Sequence, residues 1–348
     1  MKTPPAMTLK DIATLAGTTK STVSRVVSGD PRISMATRQR VQRFIQQHGY
    51  RPLVLAQALA SGRTGAIGVL SGNIGSGFFA EVIRGIDLAA GRSKGHLHIS
   101  IAHGDEDYFR LLEGLAASRQ VDGIVLIDPP LQLFARTRPN PPLPFVLCAC
   151  RAPRQAPVWK QVDDVTADNA GPMERLVTHL LEQGITDIVH LAGPVNTYDG
   201  RQRRRAFELA ARRLKVPRWR VLPNHLIQDD GQAVMQTIFR QSRRWPGAFV
   251  AFNDSVAFGV LAEIRRQRTP RCPAITGWDN SPAAEMLGLT SVEMPLTALG
   301  ETAAGLLTAR MQATADPARP AQHIRLEAVV HIRASTAAPV CSSRKDPP

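Results

Sequence analysis

"TLKDIATLAGTTKSTVSRVVSG" occupies residues 8–29. It holds two short runs of apolar residues at helical spacing, separated by a glycine and two threonines. In the first run Leu9, Ile12, Ala13, Leu15 and Ala16 follow a helical repeat, Thr8 is placed as an N-cap, and Gly17 breaks the helix. In the second, Lys20–Val27, the residues Val23, Val26 and Val27 share one face. The other face carries Lys20, Ser21, Thr22, Ser24 and Arg25. A helix, a tight turn and a second helix make a helix-turn-helix, whose second helix enters the major groove with its N-terminal residues on the base edges. Small Ser21, Thr22 and Ser24 let the backbone come close to DNA. Lys20 and Arg25 can bond guanine O6 and N7, and the hydroxyls can serve bases or phosphates.

Working outward, "SGDPR" is a turn, and Ser34 can cap a third helix that runs to about Gln47, with Gly49 as its stop. Its spacing points Ala36, Val41, Phe44 and Ile45 inward and Arg38, Arg40 and Arg43 outward. The chain of 348 residues has a net charge of +14. Residues 1–62 hold nine lysines and arginines against only Asp11 and Asp30, a local +7. Half the excess in under a fifth of the chain argues for a polyanionic partner, nucleic acid ahead of an anionic membrane surface.

From Ala66 the texture becomes strand–helix alternation. "AIGVL", "LHISIA", "DGIVLI" and "FVLCA" read as strands, with helices at 79–93 and 106–119. After about residue 162 the pattern restarts: helix 169–183, "DIVHLAG", helix 200–215, "WRVLP", helix 231–242, "AFVAF", helix 254–267 and "AITGW". A helix over about 297–312 and a single strand, "IRLEAVVHI", close it, and the tail from residue 334 reads as disordered. Such alternation means parallel sheets covered by helices. About 270 residues are too many for one sheet, so two α/β subdomains are expected, with ligand chemistry between them at the carboxyl ends of the strands. Between the two regions, Leu53–Ala60 is an apolar segment too short to be a stable helix alone.

These stretches resemble the LacI/GalR family of bacterial transcription regulators. That family's pattern runs T-x-x-D-[IV]-A-x-x-A-G, then T-V-S-R-V, then V/I-S-x-x-T-R and Y-x-P, and residues 8–52 meet nearly every position, Tyr50 and Pro52 included. The resemblance covers residues 8 to about 333. It implies an N-terminal all-α helix-turn-helix domain (1–51), a hinge helix and linker (52–64), and an α/β periplasmic-binding-protein-like core of two doubly wound parallel-sheet subdomains (65–333), before the tail (334–348). It implies base contacts from Lys20, Ser21 and Arg25, and backbone contacts from Thr8, Thr22, Ser24 and Arg32 with support from Tyr50. The hinge helix would pair with its twin across the minor groove, with Leu59 as a wedge between base pairs and Ala56 at the helix–helix contact. Leu53 stands where the family usually has Asn.

The same resemblance implies effector-facing loops. Phe78 and Phe79 follow the first core strand, with Phe78 the more exposed. Arg203, four residues before Phe207, is the effector-binding arginine, and Asn196 and Asp199 share its loop. Asn253, Asp254 and Asp279 end strands with polar groups that would point into the cleft. Asp168–Asn169 is a weaker candidate, since N-capping explains it equally well. Met294 replaces the usual glutamine, and "LIQDDGQ" lacks an aromatic to stack on the effector. The effector is left open among sugars, sugar acids, nucleosides and phosphorylated metabolites.

Two other classes compete. "GSGFFA" at 75–80 fits G-x-G-x-x-A after a strand, the place of a dinucleotide fingerprint in an NAD(P)-dependent enzyme, but it is a lone match among 26 glycines. A sugar-binding protein without DNA binding would share the core but not the basic N-terminal module. Cys148, Cys150, Cys272 and Cys341 form no CxxC pair, which fits a reducing compartment and no metal site. No apolar run approaches a membrane span, and "MKTPPAMTLK" lacks the apolar stretch of a secretory signal. The expectation is a cytoplasmic, homodimeric repressor that needs no cofactor, with double-stranded operator DNA and a small-molecule effector as partners.

Overall fold

The computed structural model describes residues 7–27, 29–50, 63–72, 77–93, 95–136, 143–153, 159, 161–223, 245–267, 272–312 and 319–337. The segment 52–62, with Ala56 and Leu59, and the expected helix 231–242 lie outside the described residues. The chain divides into two compact units, Met1–Gly65 with Arg119–Val121, and Ala66–Ser118 with Asp122–Pro348.

The first unit contains three helices, α1 (Leu9–Leu15), α2 (Lys20–Val27) and α3 (Met35–Gln47). Thr8 and Asp11 form a capping box: the Asp11 N–H donates to Thr8 Oγ1 at 3.3 Å, and the Thr8 N–H donates to Asp11 Oδ2 at 2.9 Å. Gly17 turns the chain with φ +57°, a conformation that favours glycine. Ile12, Ala13, Ala16, Val23, Val26 and Val41 make the core, with Phe44, Ile45 and Tyr50 packed on it. Ala36, expected inward, is exposed. Five residues at about 100° each place it roughly 140° around α3 from Val41.

The second unit holds two six-stranded sheets. The first has the order β11-β5-β4-β3-β1-β2, from β1 (Ala66–Ser71), β2 (His96–Ile101), β3 (Gly123–Ile127), β4 (Phe145–Cys148), β5 (Asp163–Ala167) and β11 (His323–Leu326). The second has the order β12-β10-β9-β8-β6-β7, from β6 (Asp187–Ala192), β7 (Arg218–Pro223), β8 (Ala248–Ala251), β9 (Ala274–Trp278), β10 (Thr290–Glu293) and β12 (Val329–His331). Every pairing is parallel except β10 with β12. In register, Val69 lies between Ile99 and Val125, and Val250 between His190 and Thr276. The helices are α4 (Gly77–Arg92), α5 (Asp105–Ser118), α6 (Leu133–Arg136), α7 (Ala170–Glu182), α8 (Tyr198–Arg213), α9 (Asp254–Gln267), α10 (Pro282–Met286) and α11 (Leu296–Gln312).

Helices α4 and α11 cross with their backbones almost touching. A Cβ on Gly85 would stand 2.0 Å from the Thr297 carbonyl oxygen, and one on Gly300 2.0 Å from that of Val82. Only hydrogen side chains permit this crossing.

Three expectations need correction. β5, "DDVTA", and β10, "TSVE", are strands that apolar patterning does not reveal. β5 is buried throughout and β10 in all but Glu293, and partners elsewhere satisfy their polar groups: Arg310 Nε and Nη2 donate to Asp163 at 2.7 and 2.9 Å, and Arg151 Nε to Asp164 at 2.8 Å. "IRLEAVVHI" is two strands, β11 and β12, that belong to different sheets. The tail does not begin at 334, because Ala334–Thr336 form a 3-10 turn with Thr336 buried. Thr336 Oγ1 lies 2.7 Å from Thr290 Oγ1, and the Thr290 N–H donates to Ser335 Oγ at 2.8 Å, so the turn satisfies an otherwise unmet buried strand residue. Residues 338–348 lie outside the described residues.

The chain passes between the sheets three times, at 168–169 (β5 to α7), 294–295 (β10 to α11) and 327–328 (β11 to β12). The first and third passages are laced together: the Asp168 N–H donates to the Leu326 carbonyl at 2.8 Å, and Arg175 Nη2 to that of Ala328 at 3.0 Å.

Candidate functional site

In the first unit, α2 is held from below by buried Val23 and Val26. Thr19, which sequence reasoning passed over as turn, caps it: the Thr22 N–H donates to Thr19 Oγ1 at 3.2 Å. The same Oγ1 lies 2.8 Å from Ser21 Oγ and 2.9 Å from Thr22 Oγ1, so the start of the helix carries a linked row of hydroxyls. Lys20, Ser21 and Arg25 are exposed, and Thr22 and Ser24 are half-buried. Arg32 forks onto Asp30, Nε to Oδ1 at 3.0 Å and Nη2 to Oδ2 at 2.8 Å. That contact lowers the Asp30 carboxyl to about 2. The Thr8 hydroxyl is engaged with Asp11, and Tyr50 is half-buried with its phenol raised by burial.

In the second unit the polar groups gather at the carboxyl ends of strands from both sheets. Thr197 caps α8, accepting the Gly200 N–H at 3.2 Å. Asp199, Arg203 and Phe207 then recur every four residues on the inner face of α8, and all three are buried. Arg203 is only 2% exposed. Its Nε donates to Asn169 Oδ1 at 3.2 Å, its Nη1 to the Phe252 carbonyl at 2.7 Å, and its Nη2 to Asp199 Oδ2 at 3.4 Å. Nη2 also stands 3.7 Å from Asp279 Oδ1. The guanidinium lies over the rings of Phe252 (4.6 Å) and Trp278 (4.8 Å). Asn169 Nδ2 donates to Asp199 Oδ1 at 2.9 Å and so ties the passage after β5 to α8.

Two further acids face this cluster. Burial raises Asp279 to about 7, with Arg203 opposing and Asp254 and Asp199 reinforcing. Burial and the Asp199 charge raise Asp128 to about 8, against the Tyr198 N–H and Arg203. Buried Oδ1 atoms of Asp128, Asp279 and Asn280 have no hydrogen-bond partner among the described residues. All three residues have left-handed backbones, with φ of 41°, 99° and 48°. Unpaired buried oxygens on strained backbone mark a place arranged for something beyond the fold.

Sequence candidates divide accordingly. Arg203, Asp199 and Asp279 come together, joined by Asn169. Asn169 makes no capping bond; Asp168 does that, accepting the Ala170 and Gly171 N–H groups at 3.1 and 3.2 Å. Asn253 and Asp254 hold local structure beside the cluster. Asn253 Oδ1 accepts the Val256 N–H at 2.9 Å and caps α9. Asp254 accepts from the Ser281 N–H (2.7 Å), Ser281 Oγ (2.9 Å) and Ser291 Oγ (2.6 Å), which tie the loop after β9 to β10. Asn196 is half-buried, and its carbonyl accepts the Leu131 N–H at 3.0 Å. Phe79 is in the core, and half-buried Phe78 packs edge-on to it at 5.0 Å. Asp128, Phe252 and Trp278 were missed. Each ends a core strand or directly follows one, the signal that picked out Asp279.

Residues 8–52 match the bacterial regulatory proteins of the lacI family, and residues 177–336 match a periplasmic binding protein-like domain. The chain carries a lacI-family DNA-binding domain and a periplasmic binding protein-like domain. Catabolite control protein A of Priestia megaterium is 29% identical, over 88% of this chain and 92% of that protein. The ribose operon repressor of Escherichia coli (strain K12) is 28% identical, over 94% and 99%. Among solved structures, the transcriptional regulator CelR–cellobiose complex has a TM-score of 0.68 at 25% identity, covering 94% of this chain and 99% of that one. The lac repressor dimer bound to operator and the anti-inducer ONPF has a TM-score of 0.81 at 20% identity, covering 96% and 100%, a likeness of fold. These lacI-family relatives are regulators rather than enzymes, so the dinucleotide reading of "GSGFFA" is not favoured. Among the described residues no helix is long and apolar enough to cross a membrane.

Proposed function

We propose that this protein is a lacI-family repressor that binds double-stranded operator DNA as a homodimer, with operator affinity set by a small uncharged, hydroxyl-rich effector at the Arg203–Asp279 cluster. The observation that carries the effector class is that the one arginine of the cluster is committed to protein partners while two of its acids keep spare acceptor oxygens. Asp128, Asp199 and Asp279 surround one arginine, and the guanidinium nitrogens of Arg203 already have protein partners. An anionic effector would meet three carboxyl groups and find no uncommitted cation there. Effector hydroxyls, by contrast, can donate to the unpartnered Oδ1 atoms of Asp128 and Asp279. That the CelR structure is a cellobiose complex supports this reading.

On DNA, Lys20, Ser21 and Arg25 read base edges from α2. Thr8, Thr22, Ser24 and Arg32, with Tyr50, hold the backbone, and Ala56 and Leu59 act in the hinge. One helix-turn-helix reads one half-site, so two copies read a near-palindrome, as the dimeric lac repressor on its operator supports. Phe78 and Asn196 line the approach to the effector, with Phe79 packed behind Phe78. The effector acts because it binds two arrangements of the sheets with different affinity.

The test is a thermal-shift screen of neutral sugars, sugar acids and sugar phosphates, with each hit repeated in an operator-binding titration. Neutral compounds alone are expected to raise the melting temperature and to change operator affinity. Hits confined to anions would overturn the assignment of effector class.

A further inference from the structure

The positive charge of the chain sits in two places. Residues 1–62 carry +7, and residues 198–223 carry nine arginines and lysines against Asp199 and Glu208, a second +7; the remainder nets to zero. The second block is α8 and β7, in the unit that holds the effector cluster. Arg203 and Asp199 face inward there, and the other arginines of α8 are exposed.

On the outer face of α8, Arg201, Arg204, Arg205 and Arg212 line a surface groove of about 520 Å³ together with Val195, Leu209 and a single acid, Glu208. Val195 is 56% and Leu209 55% exposed, among the most exposed large apolar side chains described. Internal contacts account for part of this charge only. Arg204 pairs with Glu208 at 3.0 Å, Arg201 Nε donates to the Val195 carbonyl at 2.7 Å, and Arg212 lies 5.8 Å over Trp219. Arg205 has no ion pair or hydrogen bond among the described residues, and it stands one turn from Arg201, where like charges repel.

We propose that this groove docks an acidic segment of another protein, one whose carboxylates flank an apolar side chain. The cations lining it are all arginines, whose planar forks match carboxylates in pairs. Arginine together with exposed apolar side chains is the composition of a protein interface. A phosphate backbone would answer the arginines and leave Val195 and Leu209 without a counterpart. The site is separate from the effector cluster, so this proposal and the effector reading stand or fall independently.

The test uses the full chain and a fluorescein-labelled peptide with two leucines among glutamates, beside a twin with serines for leucines. At roughly 0.15 M ionic strength the leucine peptide is expected to bind the wild type more tightly than the serine twin. The Arg201→Glu/Arg205→Glu/Arg212→Glu protein should bind it about tenfold or more weakly, because both charge pairing and steering are lost. Leu209→Ser and Arg205→Ala, neither of which breaks an internal bond, should each weaken it several-fold and cover the case in which the triple variant fails to fold. Lys20→Ala/Arg25→Ala should leave peptide binding unchanged. Equal binding by wild type and groove variants would overturn the proposal. So would loss of non-operator duplex binding in the groove variants with peptide binding intact, which marks a nucleic-acid surface. A change of oligomeric state in Leu209→Ser would overturn it as well, since the occupant would then be a second copy of the chain.

Discussion

Arg203 Nη2 lies 3.7 Å from Asp279 Oδ1, close enough to attract it and too far to hydrogen-bond it. The same nitrogen reaches Asp199 Oδ2 at 3.4 Å, so one guanidinium edge serves two carboxyl groups and fully satisfies neither. The Asp279 carboxyl is left with an acceptor to spare, in a backbone conformation that L-residues rarely adopt.

That relationship predicts a pH dependence. Asp279 is raised to about 7 in the folded chain, far above an unfolded aspartate. A raised acid favours the fold at low pH, and that contribution falls as pH rises from the unfolded value through the folded one. Asp279→Asn should therefore melt about 2 °C or more above the wild type at pH 8 in the absence of effector, and show no gain at pH 4. The same variant should lose the effector response while retaining operator binding. Parallel melting curves at both pH values would contradict the first expectation.

Arg203→Lys should be destabilising although it keeps the charge. A single ammonium cannot serve Asn169, the Phe252 carbonyl and Asp199 from the positions the fork occupies. Breaking such a buried network costs about 3 kcal/mol, measurable by urea titration.

Gly300→Ala should separate α4 from α11, because its Cβ would sit 2.0 Å from the Val82 carbonyl oxygen and 2.9 Å from the Ile86 nitrogen. Backbone cannot move aside as a side chain does. Overpacking of this kind costs about 1–3 kcal/mol, more than the roughly 1 kcal/mol that alanine gains over glycine in a helix. A melting temperature equal to that of the wild type would show that the helices can part without cost.

Thr19→Ala removes the cap of an eight-residue helix. A cost of about 1 kcal/mol is expected in the stability of the three-helix unit, with operator affinity reduced several-fold. Thr19→Ser should restore both, which distinguishes capping from methyl packing.

Operator affinity should fall steeply with salt, as counterion release requires. Arg32→Ala should reduce the log–log slope by about one and weaken binding evenly across operator variants, whereas Lys20→Ala should relax preference at one base position. Identical slopes in wild type and Arg32→Ala would remove Arg32 from the phosphate contacts.

Much of this was legible in the chain itself. The first unit announces itself because its apolar spacing, caps and charge all agree, and α2 runs over Lys20–Val27 as its valines require. Strands such as β1 and β3 are buried apolar runs and stand out for that reason. β5 and β10 do not, since their buried polar residues are balanced by Arg310, Arg151 and the turn at Ala334–Thr336, none of which is near in sequence. The cluster divided in the same way. Arg203 was separated from its neighbouring arginines by resemblance, whereas the capping role of Asn253 and the loop-tying role of Asp254 depend on partners that only the fold supplies.

The three passages of chain between the sheets bear on what any effector can do. Each passage is two residues long, so its slack is at most about 7 Å, and two of the three are stitched to each other at 2.8 and 3.0 Å. Bodies tethered at three points this short can neither draw apart nor slide past one another. Rocking about these passages is the motion such tethers allow, and it is the lever the proposed effector at Arg203 would use.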